Sequence, residues 1–207
     1  AEDMMYKEKM LNRKIIDSSM IQTIIETLHN ASEREKQHSI NVSKLCQNIG
    51  RALKLPEPEI RKLKEAGYLH DIGKIVLGNE ILKKNEKLTE EEKKEMQQHP
   101  VVGYRILNLF GETLDIAEGV LHHHEGWDGS GYPKGLKGEE IPKLARIIKV
   151  AESYDSMVNK HQYHHMKKEE ALKEIEAKSG IIYDPEIVKI FIQMMKNHQP
   201  SPSEELK

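Results

Sequence analysis

The composition of the chain narrows the class of protein before any motif is considered. The sequence has 207 residues, of which 37% are hydrophobic and 32% are charged, with a formal net charge of −2. A charge so close to balance gives no general attraction to nucleic acid or anionic lipid. No apolar run approaches the roughly 20 residues that cross a bilayer. We therefore expect one soluble core, no nucleic acid polymer as partner and no membrane insertion.

The single cysteine and the first residues bear on the compartment. Cys46 cannot form an internal disulfide, and it stands among apolar residues at helical spacing, so we expect a buried thiol. Residues 1–5 are acidic and no hydrophobic stretch follows them, so no signal peptide is predicted. Together these features predict a cytoplasmic protein.

Helical periodicity runs along most of the chain, and no segment alternates as a β-strand does. Apolar residues repeat at three- and four-residue steps from Ile21 to Leu28 and again from Leu45 to Leu53. Further on, residues 89–92 form a capping-box sequence. Prolines at 100, 142 and 185 each stand where a helix would begin. The sequence predicts an all-α bundle of about eight helices, with an N-terminal linker helix over residues 1–30 and a flexible tail over 199–207.

One segment departs from this helical pattern. Residues 125–142 contain five of the 13 glycines in the chain. Glycine-rich segments of this length in a compact domain are typical of ordered functional loops. We therefore expect this loop to form part of a site.

Histidines and carboxylates form the main chemical signal. Several of the 11 histidines stand beside carboxylates, at or near the ends of predicted helices, where a bundle can gather them into one pocket. The candidates are His38, His70, Asp71, His99, His123, His124, Glu152 and Asp155. Imidazole and carboxylate without sulfur suit Fe, Mn, Co or Ni, with Zn less favoured. Any one of these histidines alone would more often be structural, so the hypothesis depends on the clusters taken together.

The pair His70-Asp71 and the nearby Lys74 indicate a reaction class. A histidine next to a carboxylate can hold one ion while the carboxylate bridges to a second, and two ions activate water and screen charge in phosphoryl displacement. Lys74 falls one turn after His70 on the same face and could neutralise a phosphate oxygen. These residues predict a metal-dependent phosphohydrolase.

The same residues resemble the HD-GYP family, a branch of the HD-domain phosphohydrolases, from about residue 36 to about residue 195. The matching motifs are Leu69-His70-Asp71-Ile72-Gly73-Lys74, His99-Pro100, His123-His124-Glu125, Asp128-Gly129-Ser130-Gly131-Tyr132-Pro133 and Tyr154-Asp155. The resemblance implies an HD-domain helical bundle over residues 31–198. It also implies hydrolysis of cyclic di-GMP to the linear dinucleotide pGpG and, in some members, onward to GMP.

The resemblance also assigns roles to individual residues. Metal ligands would be His38, His70, Asp71, His99, His123, His124 and Glu152, with two divalent transition metals, Fe or Mn first and Co, Ni or Zn as alternatives. Catalytic roles would fall to Asp71, Lys74 and Asp155. Substrate contacts would come from Lys74, Tyr163, Gly131, Tyr132 and Pro133.

This chain departs from the family pattern where the family binds its dinucleotide. Glu152 stands where an aspartate is usual, and Gly126 follows the His-His-Glu triplet where a basic residue is common. Residues 161–164 read His-Gln-Tyr-His where the family has Arg-Pro-Tyr-Arg. Neutral imidazole cannot reproduce an arginine fork. Two alternatives therefore stay open: a hydrolase of another nucleotide, and a catalytically weak nucleotide-sensing module.

The N-terminal region indicates partners. Residues 1–9 resemble the closing helix of GGDEF diguanylate cyclase domains, which implies a fragment of a longer protein with GGDEF or other signalling domains. The stripe of Ile21, Ile24, Ile25 and Leu28 needs burial. We expect it to form a homodimer, although the same stripe could pack on its own bundle.

Arg34 bears on the number of metals. It stands four residues before His38 on the same helix face, where a cation would repel a third ion. Glu33 and Glu35 would be rotated by about 100° from that face, although a shift of the helix could bring Glu35 near. The sequence therefore predicts a dinuclear centre.

Overall fold

The computed structural model describes residues 2–84, 86–159 and 166–197, with side chains described from residue 17 onward. Its α-helices are α1 (Glu2–Ala31), α2 (Glu33–Ala52), α3 (Glu57–Leu69), α4 (Asn79–Leu82), α5 (Glu90–Met96), α6 (His99–Leu107), α7 (Leu114–Leu121), α8 (Lys143–Asn159), α9 (Lys168–Ala177) and α10 (Pro185–Asn197). Short 3₁₀ helices span Ile72–Val76 and Gly138–Glu140.

The all-α prediction is confirmed. In the described ranges no strand is formed, and one isolated bridge joins Ser179 to Tyr183. The helices outnumber the predicted eight because an element as short as α4, with four residues, carries too little periodicity to be read from sequence. The capping box at Thr89 and Glu92 is present as predicted. Within the described residues, no helix combines the length and apolar character that spanning a membrane requires.

The break between α1 and α2 falls at Ser32, whose hydroxyl accepts a hydrogen bond from the Glu35 amide at 3.3 Å. Before this break, Ile21, Ile25 and Leu28 are buried in the core of the same chain. The stripe thus packs on its own bundle. This arrangement removes the reason for which the sequence suggested a homodimer.

The centre of the bundle is formed by α2, α3, α7 and α8, which pack on one another. Val42, Cys46 and Ile49 from α2 are fully buried against this core, together with Ile148 from α8. The expected burial of the Cys46 thiol is therefore confirmed.

Close backbone packing brings the ends of α3 and α6 together. The 3₁₀ turn Ile72–Val76 lies against the start of α6. A side chain at Gly73 would collide with the backbone carbonyl of His99 and the amide of Gly103, so only glycine allows this approach. His70 ends α3 and His99 begins α6, and the contact therefore brings both imidazoles to Asp71.

Candidate metal centre

The predicted histidines and carboxylates meet in one place, as expected from the sequence. Asp71, His99, His123 and His124 have ligand atoms within 4.8 Å of one another, and so do His38, His70 and Asp71. His70 and His123 are completely buried. Each group contains donors of a kind and number that could hold a metal ion.

Asp71 belongs to both groups and divides its two oxygens between them. Its Oδ1 lies 3.1 Å from His99 Nε2, whereas its Oδ2 lies 3.2 Å from His70 Nε2 and 3.8 Å from His38 Nε2. The carboxylate therefore stands between two sets of imidazoles. This is the position that a bridging ligand would need.

Backbone carbonyls orient three of the imidazoles. The Nδ1 atoms of His70, His99 and His123 lie 2.9, 2.6 and 2.6 Å from the carbonyl oxygens of Gly67, Met96 and Val120. Each Nδ1 donates its proton to a carbonyl three residues earlier, so in the neutral form of each imidazole Nε2 is the acceptor. Hydrogen bonds of this kind fix the tautomer in metal-binding histidines.

The Nε2 atoms face one another at the centre of the cluster. His99 Nε2 lies 3.3 Å from His123 Nε2 and 3.2 Å from His124 Nε2, and the buried His70 Nε2 has no hydrogen bond of acceptable geometry. Burial, followed by the neighbouring imidazoles, holds the pKa of His123 and His124 well below the usual range. Several neutral lone pairs directed at one another need a cation between them. The residues present therefore fit a bound transition metal.

A row of alternating charges runs from Asp71 towards α2. Lys74 Nζ lies 2.7 Å from Asp71 Oδ2 and 2.8 Å from Glu35 Oε2. Burial opposes the charge on all three groups. The ion pairs outweigh burial, and they lower the pKa of Asp71 and Glu35 and raise the pKa of Lys74. Lys74 is therefore a permanent cation beside the candidate metal ligands.

His38 is oriented by a carboxylate instead of a carbonyl. Its Nδ1 lies 2.7 Å from Asp155 Oδ2, and Asp155 Oδ1 accepts a hydrogen bond from Asn159 Nδ2 at 2.7 Å. The buried Asp155 thus directs His38 Nε2 towards Asp71, as an outer partner does for a ligating histidine. Asp155 itself lies outside both groups of ligand atoms.

Glu152 lies at the edge of the centre. Its Oε2 is 3.8 Å from His124 Nδ1, and it is buried without a hydrogen-bond partner among the described residues. Glu152 is therefore close to His124 but outside both compact groups.

The glycine-rich loop forms one wall of the centre. Glu125 accepts hydrogen bonds from the amides of Lys134, Gly135 and Leu136 at 2.8, 3.0 and 3.2 Å. The loop contains a cis bond between Tyr132 and Pro133, and Tyr132 lies against His124, whereas Pro133 is exposed.

Gly131 lets this loop approach the His-His-Glu segment. Any side chain at Gly131 would strike the Gly126 amide and the Glu125 backbone. Gly131 and Tyr132 are thus placed at the site as the sequence predicted. Tyr163, the remaining predicted substrate contact, lies outside the described residues, as do His161, Gln162 and His164.

Glu35 lies beside the centre, which is the alternative that a shift of the helix left open. Glu35 is buried and pairs with Lys74, because three residues separate it from His38 and positions three apart also share a helix face. Arg34 Nη2 donates to the Leu82 carbonyl at 2.7 Å and lies 3.3 Å from Glu35 Oε1. The sequence also gave no specific reason to single out Asn159, whose only signal is its spacing of one helical turn from Asp155.

An open cleft of about 560 Å³ lies beside the centre. Its walls include His38, Lys74, Glu152 and Asp155 from the residues already described. The remaining described lining residues are Glu33, Arg34, Glu35, Gln37, Asn41, Ser156 and Asn159. The volume is within the range of about 300–1,000 Å³ that is usual for pockets that bind small molecules.

Comparisons with known proteins agree with this architecture. Residues 20–187 match the HD domain family, and the chain belongs to that family. Over 180 residues it is 41% identical to a protein named cyclic di-GMP phosphodiesterase from Thermotoga maritima, which covers 84% of this chain and 49% of the relative. Over 145 residues it is 39% identical to the cyclic di-GMP phosphodiesterase response regulator RpfG of Xanthomonas campestris pv. campestris, which covers 68% and 38%.

A solved structure shows the same fold. The crystal structure of a cyclic GMP-AMP-specific phosphodiesterase of Vibrio cholerae superposes with a TM-score of 0.63 at 24% identity, over 84% of this chain and 49% of the other. The chain therefore spans about half, or less, of the length of these three proteins.

Proposed function

We propose that the chain hydrolyses cyclic di-GMP to linear pGpG in a metal-dependent reaction. One observation carries the proposal: Asp71 presents its two oxygens to two groups of buried imidazoles, at the side of a cleft of about 560 Å³. The names of the relatives from Thermotoga maritima and Xanthomonas campestris support the choice of substrate.

The metal ligands would come from both groups. One ion would be held by His38, His70 and Asp71, and the second by Asp71, His99, His123 and His124, with Glu152 completing a shell from the edge. We expect Fe or Mn, with Co, Ni or Zn as alternatives. Divalent ions held in this way would supply an activated water and would screen the charge on a phosphodiester.

The residues of the chain prepare the site for this chemistry. Lys74 keeps Asp71 ionised and in place through their 2.7 Å contact, and its charge favours an anionic phosphate in the adjoining cleft. Asp155 holds the Nδ1 proton of His38. Burial, followed by Glu152 and Asp71, raises the pKa of Tyr132, so its phenol stays protonated and can donate a hydrogen bond.

The loss of the family's arginines favours a second candidate substrate. The arginines of the family's Arg-Pro-Tyr-Arg stretch are replaced by His161 and His164. The structural match from Vibrio cholerae is to a cyclic GMP-AMP-specific enzyme. We therefore name 3′3′-cyclic GMP-AMP as the alternative substrate. A sensing module without turnover is less well supported, because a sensor does not need two groups of clustered metal-ligating side chains.

Two further proposals concern the neighbouring domains of the chain and its cellular compartment. It would act within a longer protein, next to a GGDEF or other signalling domain, since it spans about half the length of its relatives or less. It would act in the cytoplasm, where the buried Cys46 stays reduced.

Initial rates with cyclic di-GMP, 3′3′-cyclic GMP-AMP and bis(p-nitrophenyl) phosphate test the assignment of substrate. The metal-loaded protein should convert cyclic di-GMP to the linear dinucleotide, at a kcat/KM well above that for the synthetic diester. A preference for 3′3′-cyclic GMP-AMP would favour the alternative. Hydrolysis of neither dinucleotide would contradict the proposal.

A further inference from the structure

The cleft beside the candidate metal centre has an uneven distribution of charge. Its described acidic lining residues are Glu33, Glu35, Glu152 and Asp155, whereas its described basic lining residues are Arg34 and Lys74. A cyclic dinucleotide carries two phosphodiesters, each with one negative charge. Only one of them can lie at the ions while it is cleaved. The other enters a cleft whose described lining has four acidic and two basic side chains, and it needs a cation of its own.

Lys74 is not available for this second phosphate. Its ammonium group lies 2.7 Å from Asp71 and 2.8 Å from Glu35, and the side chain is only 14% exposed. To reach into the cleft it would have to leave both carboxylates buried without their partner, which costs several kcal/mol. Lys74 therefore stays paired with Asp71 and Glu35 beside the candidate metal centre.

Arg34 is held through only one of its guanidinium nitrogen atoms. Both of its contacts, to the Leu82 carbonyl and to Glu35, are made by Nη2, and the side chain is 27% exposed in the lining of the cleft. Among the described residues, Nε and Nη1 have no partner. A planar guanidinium that is fixed at one nitrogen loses little further freedom when the remaining N–H groups bind a phosphate.

Arg34 is also separated from the candidate metal ligands. Two side chains, Glu35 and Lys74, separate it from Asp71 in the row of alternating charges. A ligand group bound by Arg34 is thus a different group from the one that lies at Asp71.

We infer that Arg34 binds the phosphate of the cyclic dinucleotide that is not being cleaved. This inference rests on the proposed phosphodiesterase function. It gives Arg34 a role in substrate affinity in place of the metal-repelling role that its position suggested in the sequence.

Kinetics of Arg34→Met with two substrates test the inference. With cyclic di-GMP, KM should rise about tenfold or more, the loss expected for a hydrogen bond to a charged group, while kcat stays within about twofold of the wild-type value. Bis(p-nitrophenyl) phosphate has a single phosphate, so its kinetics should not change, and neither should metal content. Arg61→Met, an exposed arginine on α3, is the matched control.

The outcomes separate this inference from the proposed function. Failure of the wild-type protein to hydrolyse cyclic di-GMP would defeat the proposed function. An unchanged KM in Arg34→Met, or an equal loss with both substrates, would overturn the role of Arg34. Arg34→Lys should recover part of the affinity, since lysine also binds phosphate as a point charge. A lysine variant as weak as the methionine variant would contradict a phosphate contact.

Discussion

The phenol ring of Tyr132 stacks on the imidazole of His124, with ring centroids 4.9 Å apart and 19° between the planes. The contact joins the glycine-rich loop to a candidate metal ligand. The loop owes its position to Glu125, a buried carboxylate that accepts hydrogen bonds from three consecutive backbone amides. Glu125 therefore helps to hold the loop that carries Tyr132 against the centre.

Replacing Glu125 by glutamine should loosen this loop. The amide group offers one acceptor oxygen where the carboxylate offers two, so at least one of the three backbone N–H groups loses its partner, at about 1–3 kcal/mol. Hydrogen exchange at Lys134, Gly135 and Leu136 should become faster. Glu139→Gln, an exposed change in the same loop, serves as the control. Unchanged exchange in Glu125→Gln would contradict this role.

The run of three histidines should divide into ligands and a non-ligand. His123 belongs to the inner cluster, whereas His122 contacts Glu118 and Glu125, at 3.2 and 3.4 Å. His123→Ala should release most of the metal, and His122→Asn should retain it. Elemental analysis of both purified variants is the measurement. Equal metal content in the two variants would show that the division is wrong.

Lys74 should stabilise the protein mainly by neutralising the charges of the buried carboxylates of Asp71 and Glu35, between which it lies. Lys74→Met leaves the buried Asp71 without its lysine and leaves Glu35 with Arg34 alone, so the free energy of unfolding of the metal-free protein should fall, by up to about 3–5 kcal/mol. Glu35→Gln in addition removes one of the two buried negative charges and should recover part of this loss. Urea denaturation of both variants gives the comparison. Equal stability of the single and double variants would exclude this coupling.

The buried thiol predicts a specific pH dependence. Burial raises the pKa of Cys46 in the folded state above its unfolded value of about 8.5. The folded protein then binds more protons than the unfolded chain, so this contribution to stability is complete below about pH 8.5 and decreases by about 1.4 kcal/mol per pH unit above it. The free energy of unfolding of Cys46→Ala, measured from pH 8 to 9.5, should lack this decrease. An identical slope in wild type and variant would contradict the prediction.

Much of the centre could be predicted because its ligands are local in sequence. His70 and Asp71 are adjacent, as are His123 and His124, and the proline after His99 indicates a helix start. Residue type and spacing alone therefore indicated a metal site. The all-α fold could also be predicted, because helical periodicity is a local signal in the sequence.

The residues that surround the candidate metal ligands could not be predicted, because their positions depend on how the helices rotate and pack. Whether Glu35 or Arg34 faces Lys74 depends on the rotation of α2, because the positions three and four residues before His38 can both lie near its helix face. The burial of Ile21 and Ile25 within the chain likewise depends on where α1 packs. The three amides that bind Glu125 lie 9 to 11 residues away in an irregular loop.

The central claim is that ions held by the His–Asp cluster enable hydrolysis of cyclic di-GMP. The direct test is to titrate metal-depleted protein with Mn²⁺ or Fe²⁺ under anaerobic conditions and to follow bound metal and linear dinucleotide in the same samples. Turnover should be absent without metal, rise as ions bind and level off at two ions per chain, and His123→Ala should remain inactive throughout. Turnover that is independent of added metal, or no turnover when the cluster is fully loaded, would contradict the account.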